Sequence, residues 1–416
     1  MAQGYSSYNI ISSEISFANT PNIDAFGRLR VSNPFTLFDS SHRYADNGLW
    51  STATATSGTA TFNAAQGLVD LDVTAASGSE VLRETVKVFS YQPGKSLLVL
   101  STFVMSAAKT NLRQRVGYYG TQNGYYLELN NTTVSFVERS FVTGAVVNTP
   151  VIQASWNVDK MDGSGPSGIT LDLTKAQILF MDLEWLGVGT VRIGFVINGN
   201  FYVCHKFNHA NIIASTYITT ASLPLRYEIT NTGATSGVST LKQICSTVLS
   251  EGGYELNGSQ FAINTPIGTS YTLTTKEIYY PVLAIRLKNT KLDSVTILSA
   301  LTLLADTTGE KYNWQLRTGS TNLVGGGTWI TAGSDSTVDY NITGTSVSGG
   351  RVISSGFFSS TTNTGSPVSL FKDSMFRFQL ERNTFTSTPF EMILSVTASQ
   401  NNSKVFASLD WEEVTR

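Results

Sequence analysis

The chain reads as an all-β protein: an extended N-terminal arm, a β-sandwich body and a second, smaller β-sandwich. Three observations carry that reading. Helical periodicity is nearly absent. Short runs rich in Val, Ile, Thr, Phe and Tyr recur about every ten residues, the spacing of sandwiches and barrels. Between them stand Gly, Asn, Ser and Asp, which accept the backbone angles of tight turns.

The individual strands follow from alternation. RQRVGYYGTQNGYYLELNNTTVSFVERS reads as three strands turning at Gln122-Asn123-Gly124 and at Asn130-Asn131. TVRIGFVINGNFYVCHKF reads as two strands around Asn198-Gly199, a pair suited to a primed hairpin turn. In it Val191, Ile193, Phe195 and Ile197 share one face, the expected core side. Later runs (IYYPVLAIRLK, VTILSALTLLAD, KYNWQLRTG, MFRFQLERN, EMILSVTASQ and VFASLDWEEV) supply the second sandwich.

The expected boundaries are an arm over 1–32, a first body over 33–249, a Gly-rich linker over 250–253 and a second body over 254–416. The first thirty residues are polar and aperiodic. Such an arm is expected to become ordered against a neighbouring subunit. Its anchoring candidates are Tyr5, Tyr8, Ile10, Phe17, Phe26, Arg28 and Arg30. The stretch 325–364, crowded with Ser, Gly and Thr, is expected to hold long loops between short strands.

Composition narrows function. Across 416 residues, 41% are hydrophobic but only 14% charged, against roughly 25% in average domains. Hydroxyl and amide groups replace the charge, and they desolvate more cheaply than ions when a surface is buried against a partner. A net charge of -2, with no basic run, argues against nucleic-acid binding. Two cysteines, Cys204 and Cys245, make no disulfide framework and are expected to be reduced and buried. The first residues lack a signal peptide's basic and apolar regions, and no apolar stretch is long enough to cross a membrane as a helix. Folding in a cytoplasm without export, with no membrane partner and no cofactor, is the expectation.

Several constellations invite chemistry. Asp182 and Glu184 in ILFMDLEWLG fall on one strand face about 7 Å apart, a pairing that can hydrolyse glycosides. This stretch is similar to the active strand of laminarinase-type glycosidases, a Glu-x-Asp-x-Glu pattern on a jelly-roll. Phe180 stands where that family's nucleophilic Glu belongs, so the pair is expected to lie on a solvated outer strand face. His205 and His209 have metal-ligand spacing for a helix, yet one sits in a predicted strand and the other in the loop beyond it. Asp159 and Asp162 in NVDKMDGSGPSG could hold calcium, but they lack an EF-hand's alternating ligands, and a self-bonded turn explains them equally well. Tyr118, Tyr119, Tyr125, Tyr126, Trp156 and Trp185 form an aromatic cluster of the kind that sugar sites use as platforms; burial in the core is the competing reading.

Three stretches together are distinctive: DAFGRLRVSNPFTLFDSSHRY, the long segment from WNVDKMDG to KFNHAN, and SEGGYE with the following PVLAIRLK. They resemble virion structural proteins of tailed phages, many from marine or cyanobacterial hosts. The resemblance implies a concanavalin-A-like jelly-roll followed by a β-sandwich, and a non-enzymatic role in the virion. The implied partners are other virion proteins of the tail, neck, baseplate or fibre apparatus, with capsid-surface decoration or host-glycan recognition as alternatives. Polysaccharide depolymerase activity is a further reading. A homo-oligomer is expected, because two sandwiches leave sheet edges to cover.

Overall fold

A computed structural model describes residues 9–11, 14–16, 23–24, 26, 29–31, 33–320, 322–360, 366–369 and 377–415. Among them there is no α-helix, and every named strand pairing is antiparallel. The chain divides into two compact units.

The first unit comprises 1–48, 52–83 and 91–254. It is a jelly-roll sandwich. A seven-stranded sheet runs, edge to edge, through Val147–Ile152, Thr133–Ser140, Gly124–Asn130, Leu112–Tyr119, Leu225–Asn231, Glu80–Thr85 and Trp50–Ala55. An eight-stranded sheet runs through Asn200–Phe207, Val191–Ile197, Gln177–Leu183, Ser96–Val104, Ser239–Glu251, Leu68–Val73 and Thr59–Asn63, with Phe35–Ser41 beside Ser239–Glu251. Local signals placed the hairpins correctly. Asn198 and Gly199 both have positive φ, 52° and 77°, as a primed turn requires. Val191, Ile193 and Phe195 are wholly buried.

The second unit comprises 49–51, 84–90 and 255–416. Its five-stranded sheet is built from Ser259–Asn264, Ser403–Thr415, Val295–Ala305 and Ser366–Ser369, with Tyr271–Leu273 also pairing Ser403–Thr415. Its six-stranded sheet orders Ile330–Thr331, Val338–Asn341, Tyr280–Leu287, Glu391–Ala398, Lys311–Gly319 and Arg351–Ser359. Leu283, Leu301, Leu316, Leu394, Leu409 and Trp411 belong to the apolar cluster that fills the unit.

Four expectations change. Ser250 and Glu251 end a 13-residue strand instead of opening a linker; only Gly252 and Gly253, at φ 95° and 80°, turn the chain. Two short segments from inside 33–249 cluster with the C-terminal residues, so the bodies are not contiguous in sequence. Among the described residues of the MFRFQLERN run, Gln379 makes an isolated bridge to Ile297, and the strand is Arg382–Asn383, paired with Thr388–Pro389. Its buried Arg382 spends its guanidinium on Glu84, on the Thr85 carbonyl and on Asp293, at 2.7, 2.7 and 3.0 Å, contacts that a polar residue in an apolar ladder could not make. The Ser/Gly/Thr stretch contains a nine-residue strand, Arg351–Ser359, that its composition concealed.

Candidate functional site

Strand Gln177–Leu183 sends Leu179, Met181 and Leu183 into the sandwich, so Phe180 and Asp182 occupy the opposite face. Asp182 is not solvated there: it is 0% exposed. Its neighbour across the ladder is Arg192, whose Nε donates to Asp182 Oδ2 at 3.0 Å. Arg30 Nη2 donates to the same oxygen at 2.6 Å, and Ser96 Oγ donates to Oδ1. Arg30 also pairs with Glu251 through its other terminal nitrogen. The Ile23 carbonyl closes the cluster, accepting from Arg30 Nε at 3.1 Å and from Arg192 Nη2 at 2.8 Å. Two guanidinium groups thus face two carboxylates, with a main-chain oxygen between them. Asp24, next to Ile23, is buried as well.

This arrangement corrects two expectations. Arg30, placed among the residues expected to hold a neighbouring subunit, is bonded to its own unit. Phe26, half-buried, donates its backbone N–H to the Asp24 carboxylate at 2.9 Å. Tyr5, Tyr8, Phe17 and Arg28 lie outside the described residues, and Ile10 lies in a short ribbon of Asn9–Ile11 with Glu14–Ser16. Asp182, in turn, has both oxygens engaged. Wholly buried, it presents neither oxygen to a sugar, and the nucleophile's place in the laminarinase-type pattern is held by Phe180. Phe180 packs edge-on against Phe201, ring centres 5.0 Å apart, where a second carboxylate would be needed. Glu184 is half-buried and accepts from the Thr190 N–H at 3.1 Å. Burial raises its pKa, reinforced by Asp24 and Asp182 nearby. Glu251 is raised for the same first reason, desolvation, against the opposing pull of Arg30.

Further along this face lies a shallow groove of ≈ 370 Å³. Leu100, Thr102, Ile178, Cys245 and Thr247 line it, with Asp39 at its rim. No aromatic ring contributes, so it offers no stacking platform for a sugar. Cys245 is half-buried and Cys204 fully so, both free thiols, with burial pushing their pKa values up.

The aromatic cluster is core. Tyr118, Tyr119, Tyr125 and Tyr126 are all 0% exposed. Tyr119 and Tyr126 pack 4.5 Å apart, and Trp156 stacks on Phe136 at 4.2 Å. Their polar ends are used internally: Tyr118 donates to the Ala221 carbonyl at 2.7 Å and Trp156 Nε1 to the Val151 carbonyl at 3.1 Å. Trp185 is half-buried against Tyr91. As a sugar platform the set is therefore corrected: Tyr118 and Tyr125 are buried on one sheet face, and Tyr119 and Tyr126, on the other, lie under the guanidiniums of Arg115, Arg139 and Arg226; burying such rings gains more than displaying them.

His205 and His209 serve separate purposes. His205 Nδ1 accepts from the Asn157 N–H at 3.2 Å. Burial depresses its pKa to about 4. His209 stacks on Tyr217 at 3.9 Å, with Nε2 2.7 Å from Glu138 and Nδ1 2.6 Å from the Gly189 carbonyl. Asp159 braces its own loop, accepting from Met161 N–H and Ser167 N–H at 2.8 and 2.9 Å. Asp162 does likewise for Ser164. Among the described residues, no three His, Cys, Asp or Glu side chains converge as a metal site.

No protein-family model matches the chain, and no curated protein matches it in sequence. Solved structures do. The Emp47p carbohydrate recognition domain is 11% identical, covering 51% of this chain and 96% of its own at a TM-score of 0.33. The endo-1,3-beta-glucanase (laminarinase) catalytic domain from Thermotoga petrophila RKU-1 is 10% identical, covering 54% and 100% at 0.37. The binding domain of Paraclostridial Mosquitocidal Protein 1 is 8% identical, covering 72% and 66% at 0.33.

Proposed function

We propose that this chain is a non-catalytic β-protein that acts through rigid surfaces, as a structural component of a tailed-phage virion. The observation that carries the non-catalytic part is Asp182: its oxygens are consumed by Arg192, Arg30 and Ser96, and Phe180 replaces the partner acid. The virion setting rests on the resemblance of the DAFGRLRV, WNVDKMDG and SEGGYE regions. Mass spectrometry of purified particles tests it: a few to a few dozen copies support a tail, neck, baseplate or fibre part. Hundreds support capsid decoration, and none refutes the setting. Reducing-sugar release from host polysaccharide, abolished by Glu184→Gln, would overturn the non-catalytic reading.

A second reading, recognition of host surface glycan, is favoured by one feature. The second unit displays an aromatic ring to solvent beside ordered amides, at Phe357. Binding of the full chain to an array of bacterial surface glycans is the expected result. An array with no signal removes it.

A further inference from the structure

We propose that the outer face of the six-stranded sheet, at its Lys311–Gly319 and Arg351–Ser359 edge, is a platform for a neutral oligosaccharide, with Phe357 as the stacking ring. The proposal rests on the glycan reading above and names its site.

Alternation within the edge strand sets the ring outward. Phe358 turns inward and stacks on Tyr312 at 4.7 Å and 13°. Phe357 therefore points away from the core and is 84% exposed. A lone exposed apolar residue is ordinary; what distinguishes this one is its surroundings. Its ladder partner is Asn313, and the next pair on that face is Gln315 with Ser355. Tyr279 closes the other side. Its hydroxyl donates to Asn313 Oδ1 and accepts from Gln315 Nε2 at 2.9 Å, while its ring lies 5.0 Å from the Arg317 guanidinium carbon. Asn313 Nδ2 donates to the Gly356 carbonyl at 2.9 Å, and Arg317 Nε donates to Gln315 Oε1 at 3.0 Å. Both amides are thus oriented before any ligand arrives. Thr397, paired with Asn313 on the neighbouring strand, has a buried hydroxyl with no hydrogen-bond partner among the described residues.

That combination matches a pyranose. A sugar ring has an apolar C–H face, which a flat aromatic surface receives, and a rim of hydroxyls, which fixed amides and hydroxyls can bond. Preorganised groups lose little entropy on binding. Two cations share this face, Arg317, bonded to Gln315 and the Gly349 carbonyl with its guanidinium beside the Tyr279 ring, and the exposed Lys311 one ladder pair beyond Phe357; the groups flanking the ring itself, Asn313, Gln315 and Ser355, are neutral, which suits an uncharged sugar. A stable protein partner would bury about 800 Å² per side, far more than one ring supplies.

The test uses the full chain against immobilised laminarin-, chitin- and O-antigen-derived oligosaccharides. Phe357→Ser is expected to weaken binding at least about tenfold and Phe357→Trp to retain it, the scale on which one ring contact acts. Phe357 is exposed, so both variants keep the fold. Thermal melts verify that. Wild-type binding that Phe357→Ser leaves unchanged overturns the platform while the glycan reading stands. No wild-type binding to any of these sugars overturns both. A change in oligomeric mass with Phe357→Ser, by light scattering and with sugar binding unaltered, makes the face a protein contact and also overturns the proposal.

Discussion

The two units handle buried charge differently. In the first, buried acids are neutralised by cations: Asp182 by Arg192 across the ladder and by Arg30 from the N-terminal segment, and Glu228 by Arg113 and Arg115 on the adjacent strand at 2.8 and 3.2 Å. In the second, buried acids mostly bind neutral donors. Glu413 accepts from the Thr337 N–H at 2.8 Å and from Trp411 Nε1 at 3.1 Å. Glu391 accepts from the Asn322 and Val324 N–H groups at 3.1 and 2.9 Å. All three histidines, at 42, 205 and 209, also lie in the first unit. The lesson is one of vulnerability. A charge-neutralised interior fails when one partner is removed or protonated, whereas a carboxylate clasping loop amides fails locally.

The contrast can be broken by mutation. Arg192→Met leaves Asp182 buried with half its compensation and should cost the first unit about 3–5 kcal/mol, measured by chemical denaturation. A cost below about 1 kcal/mol would show the network to be dispensable. Replacing Asp182, Arg192 and Arg30 together by apolar residues of similar size should cost less than Arg192→Met alone, because no orphan charge remains.

Acid should come next in size. Burial lowers the pKa of His205 to about 4, and burial followed by Arg83 lowers that of His42. The unfolded chain therefore binds these protons more readily than the native one, and stability falls as pH drops from about 6.5 towards 4. The raised carboxyls of Glu184 and Glu251 act in the opposite sense at the acid end. His205→Gln should flatten the denaturation midpoint between pH 7 and pH 5; an unchanged slope would show that His205 does not set it.

In the second unit Glu391→Ala strands two loop N–H groups and should cost about 2 kcal/mol, with exchange protection lost at Asn322 and Val324 first. The smallest effect belongs to Phe357→Ser, within about 0.5 kcal/mol of wild type in stability. Its consequence is expected in binding instead.

Much of the fold was legible from local pattern. Val191, Ile193 and Phe195 alternate inward because a strand has period two, and Asn198-Gly199 accepts positive φ because those residues tolerate it. The exposed-versus-buried state of an aromatic was not legible. Tyr125 and Phe357 both sit in alternating strands, yet one is enclosed between sheets and the other lies on an edge. The Arg351–Ser359 strand was hidden because Ser and Gly interrupt its apolar residues, and only pairing with Lys311–Gly319 makes it a strand.

By itself, then, the sequence determined an antiparallel β-protein with turns at defined places, since period, turn chemistry and low charge are properties of neighbouring residues. The tertiary structure decided what the polar side chains do. Arg30 meets Asp182 across 152 residues, and Glu84 meets Arg382 across 298. Such partners are chosen by strand order, which no local pattern encodes. For that reason Asp182 looks like a catalytic acid in one dimension and proves to be one half of a buried ion pair in three.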